Sequence, residues 1–387
     1  MPEAYIVAAT RTAGGRKNSR LSGWHPADLG GLLLDSLVER AGIDPAAVDD
    51  VILGCVTQAG EQSVHIGRNA VLASSLPVSV PAVTIDRQCG SSQQALHFAA
   101  QAVMSGTQDM VIACGVESMT RVPMGSASLP ENGVSPWSDK ILTKFGVPAF
   151  SQFQGAEMIA KKYGFTREKL DAFGLESQLR AGAATQNGAF KDEITPVEII
   201  NADGERELHI VDEGVRSNVS AEAMAGVRLL VEGGTLTAAT SSQVCDGASG
   251  VIVVSEAALK AHNLTPLARV HAMTVTAGDP VIMLEEPIPA TQRALQRAGM
   301  KIGDIDLYEV NEAFAPVPLA WLEVIGADPD KLNVNGGAIA LGHPLGASGT
   351  KLMTTLIYAL RARGKRFGLQ TMCEGGGVAN VTIIEAL

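Results

Sequence analysis

The sequence predicts an α/β fold built from two similar halves, and three observations support this class. Short apolar runs rich in valine and isoleucine alternate with longer segments whose apolar residues recur every three or four positions, as strands and helices do in α/β proteins. Landmarks of the first 120 residues return in the same order near the C-terminus. The segment between the two copies is broken by prolines and carries charged helical pieces. Because the apolar strands read as buried on both faces, a largely parallel sheet is expected.

Local patterns define the elements of the first half. A helix over Pro26–Ala41 is predicted by its apolar face and by Gly42, a residue type that commonly ends helices. A second helix is expected behind Cys89, where no β-branched residue occurs until Val103. The remaining predicted elements are strands at residues 4–9, 51–56, 80–85 and 110–115 and a short helix over residues 66–73.

The second half repeats these landmarks at nearly one offset. The repeated segments are Arg40-Ala41-Gly42-Ile43 with Arg297-Ala298-Gly299-Met300, Gly90-Ser91-Ser92 with Gly346-Ala347-Ser348, and Cys114-Gly115 with Cys373-Glu374-Gly375. Further strands are predicted at residues 251–254, 268–275, 306–310 and 367–372, with a helix over residues 290–298. Equivalent junctions of two such halves would lie near one another, so a site is expected where the halves meet.

Three domains are predicted from this division. The N-terminal half is expected to comprise residues 1–120 and about 237–266, and the C-terminal half residues 267–387. Residues 121–236 are expected to form an inserted domain between them. Its predicted helices cover residues 156–163 and 166–184, and Thr166 is the expected N-cap of the second.

Composition limits the functions that this chain can have. Hydrophobic residues make up 46% of the 387 residues and charged residues 18%, which supports a large core. The net charge of −11 disfavours binding to nucleic acid or to anionic membranes. No apolar run reaches the ~18 residues that span a bilayer, and the first residues lead straight into a strand without a signal peptide. The five cysteines show neither disulfide nor zinc spacing, so no metal and a reducing, cytoplasmic location are predicted.

Cys89 is the first candidate catalytic residue. It lies between a predicted strand and the first turn of a helix, where unpaired backbone N–H groups and the helix dipole favour a thiolate. A lowered pKa and a nucleophilic role are therefore expected for Cys89. From this stretch alone, the commoner alternative is a buried cysteine that fills the core as a small apolar side chain.

Three further candidates lie in the second half. His343 is the only one of the seven histidines in a glycine-rich loop, which makes it either a base for a cysteine or an ordinary loop histidine. Cys373 precedes three glycines, which would leave its thiol open to a ligand. Asn311 lies just after a predicted strand, at the edge where α/β folds bind their ligands.

These segments resemble the four active-site blocks of the thiolase family (acyl-CoA acetyltransferases), in order and over essentially the whole chain. The matching blocks are the Cys89 segment, Asn311-Glu312-Ala313-Phe314, residues 336–344 around His343, and Cys373-Glu374-Gly375-Gly376-Gly377. The resemblance implies a five-layer α-β-α-β-α sandwich of two α/β halves with an inserted loop domain. It implies an acyltransferase of the degradative type that takes CoA and acyl-CoA as substrates and needs no cofactor. Family members are dimers or tetramers, so a homodimer or homotetramer is expected.

The resemblance also implies a role for each candidate. Cys89 would carry the acyl group, and His343 would accept the proton of its thiol. Cys373 would exchange a proton with the enolate of acetyl-CoA. His343 with a water held by Asn311 would form one oxyanion site, and the backbone N–H groups of Cys89 and Gly375 would form the other.

Positions outside these roles bear on the substrate. Arg216, Ser242 and Phe314 match residues that contact CoA or substrate in the family. Residues 240–248 depart from the family's Asn-Ala-Ser-Gly-Leu-Asn-Asp-Gly-Ala, and residues 151–158 lack the histidine of short-chain biosynthetic members. Both departures fit thiolytic cleavage of a longer or ring-bearing 3-oxoacyl-CoA, in fatty-acid or sterol degradation.

The sequence leaves three alternative functions open. One is a biosynthetic acetyl-CoA C-acetyltransferase that makes acetoacetyl-CoA. Another is a decarboxylating ketoacyl synthase, which would be expected to carry a histidine or asparagine in place of Cys373. The last is a non-catalytic acyl-CoA-binding protein, which would not need both thiols together with His343 and Asn311.

Overall fold

The computed structural model describes residues 2–128, 135–201, 203–216 and 218–387. The helices of these residues are α1 Pro26–Ala41, α2 Ile66–Leu72, α3 Ser91–Ser105, α4 Asp139–Phe145, α5 Gln152–Lys162, α6 Arg167–Gln186, α7 Ala221–Ala225, α8 Glu256–Ala261, α9 Pro287–Ala298, α10 Pro316–Ile325, α11 Ala338–Leu341 and α12 Ser348–Ala362. The strands are β1 Tyr5–Thr12, β2 Gly15–Arg16, β3 Asp50–Gly54, β4 Ala82–Ile85, β5 Met110–Ser118, β6 Ile194–Thr195, β7 Val197–Ile200, β8 Arg206–His209, β9 Cys245–Val254, β10 Ala268–Ala277, β11 Leu307–Val310, β12 Phe367–Glu374 and β13 Val378–Ala386.

Local capping explains where several helices begin and end. The α1 helix starts with Pro26 in its first turn and ends at Gly42, whose φ of 64° is the left-handed conformation that glycine adopts without strain. Gly299 ends α9 in the same way with a φ of 65°. The hydroxyl of Thr166 accepts from the backbone N–H of Lys169 at the start of α6. The predicted ends of α1 and the predicted N-cap of α6 are therefore confirmed.

Eleven strands form one sheet, whose main path runs β11-β12-β13-β10-β1-β9-β5-β3-β4. Parallel pairing is found near the two ends of this path, between β3 and its neighbours β4 and β5 and between β11 and β12. The pairs from β5 through β9, β1, β10 and β13 to β12 are antiparallel. The prediction of a largely parallel sheet was therefore wrong. The physical reason is that β13 follows β12 through a tight hairpin, and β9 enters from the insertion in the opposite direction.

The strand order shows the duplication directly. Outward from the centre, the first half runs β1-β9-β5-β3 and the second runs β10-β13-β12-β11. The two half-sheets join through two antiparallel residue pairs, Tyr5 with Arg269 and Ile6 with Ala268. In the second half, a single β-bridge between Tyr308 and Leu332 occupies the position that β4 has in the first half.

Helices divide the molecule into the predicted five layers. The α1 and α2 helices pack on the outer face of the first half-sheet, and α9 and α10 on the outer face of the second. The α3 and α12 helices lie between the half-sheets and share one apolar core with both, lined by Ala95, Leu96, Ala99, Met353, Leu356 and Ile357. This arrangement confirms the predicted fold class.

The first turns of α3 and α12 meet almost backbone to backbone. A Cβ atom on Gly349 would lie 2.1 Å from the backbone nitrogen of Gln93, and one on Gly115 would lie 2.2 Å from the carbonyl oxygen of Gly346. Buried Glu117 of β5 connects the segment after β3 to the segment before α12. Its carboxylate accepts from the N–H groups of Val56 at 2.9 Å and Gly346 at 2.8 Å. The N-terminal ends of the two central helices are thereby held together.

The insertion packs on both halves. Ala156 and Ile159 of α5 and Leu170 of α6 join the apolar cluster of α9 and α10. The guanidinium of Arg11 in β1 is fully buried between Glu193, at 2.6 Å, and Asp212, at 2.8 Å. These contacts attach the insertion to the strand at the centre of the sheet.

Candidate active site

Cys89 lies in the turn between β4 and α3. Its side chain is 4% exposed and packs against Met119, Leu345, Leu352 and Met372. The preceding residue, Gln88, has a φ of 47°, a left-handed conformation that is uncommon for residues other than glycine. Its backbone N–H donates to the carboxylate of Asp86 at 2.6 Å. A strained turn held by a local hydrogen bond thus sets the direction of the thiol.

The environment of the Cys89 thiol differs from the one expected from sequence. Burial raises the pKa of Cys89 to about 12, and the charge of Glu374 adds to this effect. The expectation of a lowered pKa was therefore wrong for the resting protein. The free-energy cost of removing water from around a thiolate is larger here than the stabilisation that the N-terminal end of the helix provides.

His343 is oriented by hydrogen bonds on both ring nitrogens. Nδ1 lies 2.5 Å from the hydroxyl of Ser348, and that hydroxyl donates its one proton to the carbonyl oxygen of Pro344 at 2.8 Å. Nδ1 must then be the donor to Ser348, which leaves the lone pair on Nε2. The amide nitrogen of Asn311 faces this lone pair at 3.4 Å. Burial, with a smaller effect from the charge of Lys351, lowers the pKa of His343 to about 3, so the ring is a neutral base.

Asn311 follows β11 and is 1% exposed. Its side-chain oxygen is buried and has no hydrogen-bond partner in the described residues. The next residue, Glu312, accepts from the hydroxyl of Ser177 at 2.6 Å and from the backbone N–H of Ile339 at 3.1 Å. A Cβ atom on Gly337 would lie 2.3 Å from the Glu312 carboxyl carbon, so only glycine fits in the loop there. Glu312 therefore fixes the glycine-rich loop that carries His343.

Cys373 is fully buried near the end of β12. Burial raises its pKa well above the ordinary value, and the next cause is the charge of Cys89, which means that the two thiols lie within electrostatic reach. Gly376 and Gly377, with φ of 85° and 77°, then turn the chain into β13. Gly375 lines a cavity of about 680 Å³ together with Gln88 and aromatic residues of the insertion.

The three residues expected to contact CoA or substrate lie in two places, Phe314 with Ser242 and Arg216 apart from them. Phe314 is buried, forms an edge-to-face contact with Phe153 at 5.3 Å, and pairs with Ser241, the neighbour of Ser242. The half-buried Ser242 donates its N–H to the carbonyl of Ala313 at 2.9 Å. Arg216 is exposed and lines a separate cavity of about 330 Å³.

Gln243 connects the loop of Arg216 to the catalytic loop. Its side-chain nitrogen donates to the carbonyl of Gly214 at 3.0 Å, and its own carbonyl accepts from the N–H of His343 at 3.0 Å. Leu345, two residues after His343, packs against Cys89, and the backbone N–H of Asn311 donates to the carbonyl of Thr371, two residues before Cys373. The structure therefore brings these four buried candidate residues close together, whereas exposed Arg216 lines a separate cavity.

Sequence reasoning missed three residues of the site. The sequence marks Ser348 only as a landmark of the repeat, and Glu374 only as part of a glycine motif. Lys351 gives no signal in sequence, yet its buried ammonium group donates to the carbonyls of Leu341 and Gly342, just before His343. The position of Ser348 five residues after His343, in the first turn of a predicted helix, is the one available clue.

Two general properties of the chain bear on its partners. Within the described ranges, no helix combines the length and apolar character needed to cross a membrane. In the same part of the chain, no group of three histidine, cysteine or acidic side chains is arranged to hold a metal ion.

Comparison with known proteins identifies the class that this fold and site define. The thiolase N-terminal domain family matches residues 4–257, and the thiolase C-terminal domain family matches residues 264–386. A steroid 3-ketoacyl-CoA thiolase (FadA6) of Mycobacterium tuberculosis is 52% identical, over 100% of this chain and 95% of that protein. A 3-ketoacyl-CoA thiolase of Marinobacter nauticus is 41% identical, over 100% and 98%.

A solved structure agrees with these relatives. The acetyl-CoA acetyltransferase of Bacillus anthracis superimposes with a TM-score of 0.91 at 33% identity, covering 100% of this chain and 99% of that one. The chain belongs to the thiolase family and is an acyltransferase. The family resemblance seen in the sequence is thereby confirmed.

Proposed function

We propose that this enzyme cleaves a 3-oxoacyl-CoA with free CoA, giving acetyl-CoA and a shortened acyl-CoA. The observation that carries the proposal is the meeting of two buried thiols with the oriented His343–Asn311 pair where the halves join. The relative that is 52% identical is a steroid 3-ketoacyl-CoA thiolase, which supports the same reaction.

The first half-reaction forms an acyl-enzyme. The sulfur of Cys89 attacks the 3-keto carbon while Nε2 of His343 takes its proton. Because burial raises the pKa of the thiol and lowers that of the imidazole, we propose that this transfer accompanies the attack rather than preceding it. The Cα–Cβ bond then breaks, its electron pair forms the enolate of acetyl-CoA, and the thiol of Cys373 protonates that carbon.

The second half-reaction returns the acyl group to CoA. The CoA thiol loses its proton to the Cys373 thiolate and attacks the thioester carbonyl on Cys89. The Cys89 sulfur then leaves and regains its proton from His343. No cofactor is invoked. Negative charge on the reacting oxygens is stabilised at two places, by His343 with a water on Asn311 and by the N–H groups of Cys89 and Gly375. The unpartnered side-chain oxygen of Asn311 is a suitable acceptor for that water.

Binding of CoA is proposed to involve the insertion, taken as residues 121–236 between halves of 1–120 with about 237–266 and 267–387. Arg216 is exposed at its edge and offers a cation for the phosphates of the nucleotide. Phe314 belongs to the same apolar cluster as Cys373, and Ser242 bonds to Ala313 beside it, so the pantetheine arm is proposed to pass along these two residues. Gln243 supports this path because it joins the Gly214 carbonyl to His343.

The acyl group is proposed to be bulky and ring-bearing. The cavity of about 680 Å³ beside Gly375 is lined by Trp137, Phe145 and Phe150, and Phe150 forms an edge-to-face pair with each of the other two rings. This volume falls within the range of ~300–1,000 Å³ that holds ligands of moderate size. Aromatic walls suit apolar rings better than a two-carbon acetyl group.

A second copy of the chain is the proposed partner. The β4 strand ends the main path of the sheet, and its residues are only partly buried, with Val83 41% exposed. An open strand edge next to the Cys89 turn is a suitable place for pairing with another chain. A homodimer is the simplest assembly that covers it, and a homotetramer is the alternative. The cytoplasm is the proposed location because the five cysteines are free thiols.

A substrate series with free CoA tests the proposal. We expect kcat/KM, followed by loss of the enolate absorbance, to be highest for a ring-bearing 3-oxoacyl-CoA, lower for a straight chain and lowest for acetoacetyl-CoA. Trp137→Ala should lower kcat/KM by roughly tenfold for the ring-bearing substrate and hardly affect acetoacetyl-CoA. A preference for acetoacetyl-CoA would favour the biosynthetic acetyltransferase. Absence of turnover with every 3-oxoacyl-CoA would contradict thiolysis.

A further inference from the structure

One feature of the site is the Glu374 carboxyl, which the proposed reaction does not use. Glu374 is the last residue of β12, its side chain is fully buried, and neither carboxylate oxygen has a hydrogen-bond partner among the residues described. By contrast, buried Glu117 and Glu312 each accept several hydrogen bonds. A buried carboxyl without donors is more stable with its proton than without it.

The Glu374 carboxyl lies directly against the turn that holds the nucleophile. A Cβ atom on Gly90, the residue after Cys89, would lie 1.9 Å from Oε1 of Glu374 and 2.8 Å from the side-chain nitrogen of Asn380. Only glycine therefore fits at this position. The amide nitrogen of Asn380 donates to the carbonyl of Gly90 at 3.1 Å and makes no hydrogen bond to Glu374.

The charge of Glu374 acts directly on the two thiols. It is the first cause, after burial, that raises the pKa of Cys89, and it also raises the pKa of Cys373. The other charged groups that act on Cys89 or Glu374 are Arg87 and Asp86 from the connection between β4 and α3 and Glu117 from β5. An anion at Glu374 therefore opposes formation of a thiolate beside it.

We propose that Glu374 is a positioning residue whose neutral carboxyl keeps the space behind Cys89 free of negative charge, and whose ionisation at alkaline pH suppresses the Cys89 thiolate. The inference rests on the proposed function, in which Cys89 is the nucleophile. Burial, only partly offset by Arg87, raises the pKa of Glu374 to about 8, which supports a neutral carboxyl at neutral pH.

The proposal is tested by the rate at which iodoacetamide alkylates Cys89, quantified by mass spectrometry of the Cys89 peptide. This measurement does not require the enzyme to turn over a substrate. The rate would be measured from about pH 6.5 to about pH 9.5. Glu374→Gln, which has the same shape and no charge, should match the native enzyme near pH 6.5 and react about tenfold faster near pH 9.5, as removal of one nearby like charge implies. Glu374→Asp should keep the alkaline suppression. Glu309→Gln is the matched control, because Glu309 is a buried carboxyl on neighbouring β11 whose charged neighbours do not include Cys89.

An infrared difference spectrum between the same pH values gives a second readout. The native enzyme should lose the carbonyl band of a protonated carboxylic acid on going to high pH, and Glu374→Gln should lack this change. A constant ratio of alkylation rates across pH would show a merely structural role and overturn the proposal, as would absence of the band. Failure of the proposed function is a separate outcome, because it would appear as full thiolysis activity in Cys89→Ala.

Discussion

Cys114 of β5 and Cys373 of β12 are equivalent residues of the repeat, but Cys114 lies in the middle of its strand and Cys373 near the end of its strand. In the first half, β5 continues to Ser118 and stays paired with β9 throughout, so Cys114 is enclosed by apolar side chains. Burial is the only cause that raises its pKa. In the second half, β12 ends one residue after Cys373 and turns through glycines, and the charge of Cys89 reaches the thiol.

The difference lies in the residues after each cysteine rather than in the cysteine itself. Four further paired residues follow Cys114 in β5, whereas one follows Cys373 before the glycine hairpin, whose Gly375 and Gly376 line a cavity. We therefore propose that the duplicated strand is structural in one copy and takes part in the reaction in the other. The central helices differ as well, since α3 is preceded by Cys89, the proposed nucleophile, and α12 by His343, the proposed base.

Replacing each cysteine in turn is the most direct test of the difference between them. Cys373→Ala should lower kcat/KM by roughly 10²- to 10⁴-fold and abolish exchange of the α-protons of acetyl-CoA, while Cys89 still becomes acylated. Cys114→Ala should leave the exchange rate unchanged and cost about 1 kcal/mol of stability. Deuterium exchange followed by NMR, with mass spectrometry of the acyl-enzyme, checks both. Equal effects of the two substitutions on exchange would remove the distinction between the halves.

The buried histidines allow a second comparison of the two halves, through the pH dependence of stability. His97 in α3, like His343, has its pKa lowered to about 3 by burial. Because the folded state then binds fewer protons than the unfolded state, stability falls as pH drops below the ordinary histidine pKa of ~6.5. His97→Gln should therefore be less acid-sensitive, by about 2 kcal/mol in the free energy of unfolding between about pH 7.5 and pH 5.

Urea denaturation at these two pH values measures that difference. His262→Gln is the control variant, because the His262 side chain is exposed just after α8. An unchanged pH dependence in His97→Gln would show that the buried ring accepts a proton without unfolding.

Two equivalent serines provide the smallest and most specific test. Ser348 in α12 accepts from Nδ1 of His343, whereas its counterpart Ser92 in α3 accepts from the backbone N–H of Thr350 at 3.0 Å. Ser348→Ala should lower kcat/KM by roughly tenfold, about the value of one buried hydrogen bond, because His343 loses its fixed orientation. Ser92→Ala should cost about 1 kcal/mol of stability with little effect on kcat/KM. The reverse pattern in steady-state kinetics and thermal unfolding would contradict the assignment of Ser348.

Sequence was sufficient for features that depend on local chemistry. Gly42 and Gly299 end their helices because glycine adopts a left-handed φ, and the repeat predicted two halves that share one strand order. The glycine pattern around His343 and Cys373 predicted the place of the site. The catalytic roles of Cys89, His343, Cys373, Asn311 and Gly375 stay predictions.

Features that depend on packing across the chain could not be predicted in this way. The direction of β9 depends on where the insertion returns the chain, which no local pattern states. The pKa of Cys89 is raised because Met119, Leu345, Leu352 and Met372, which are distant in sequence, exclude water around it. Lys351 supports the catalytic loop only because α12 lies beside it.

The contact of Gly349 with the backbone of Gln93 has an evolutionary consequence. The two halves are in direct contact here, so a side chain cannot be added at position 349 unless the backbone of Gln93 moves away. A methyl group at 349 would push the central helices apart and shift both ends of the reaction centre together. Chimaeras that combine halves of distant relatives should therefore retain activity only where this glycine boundary is kept.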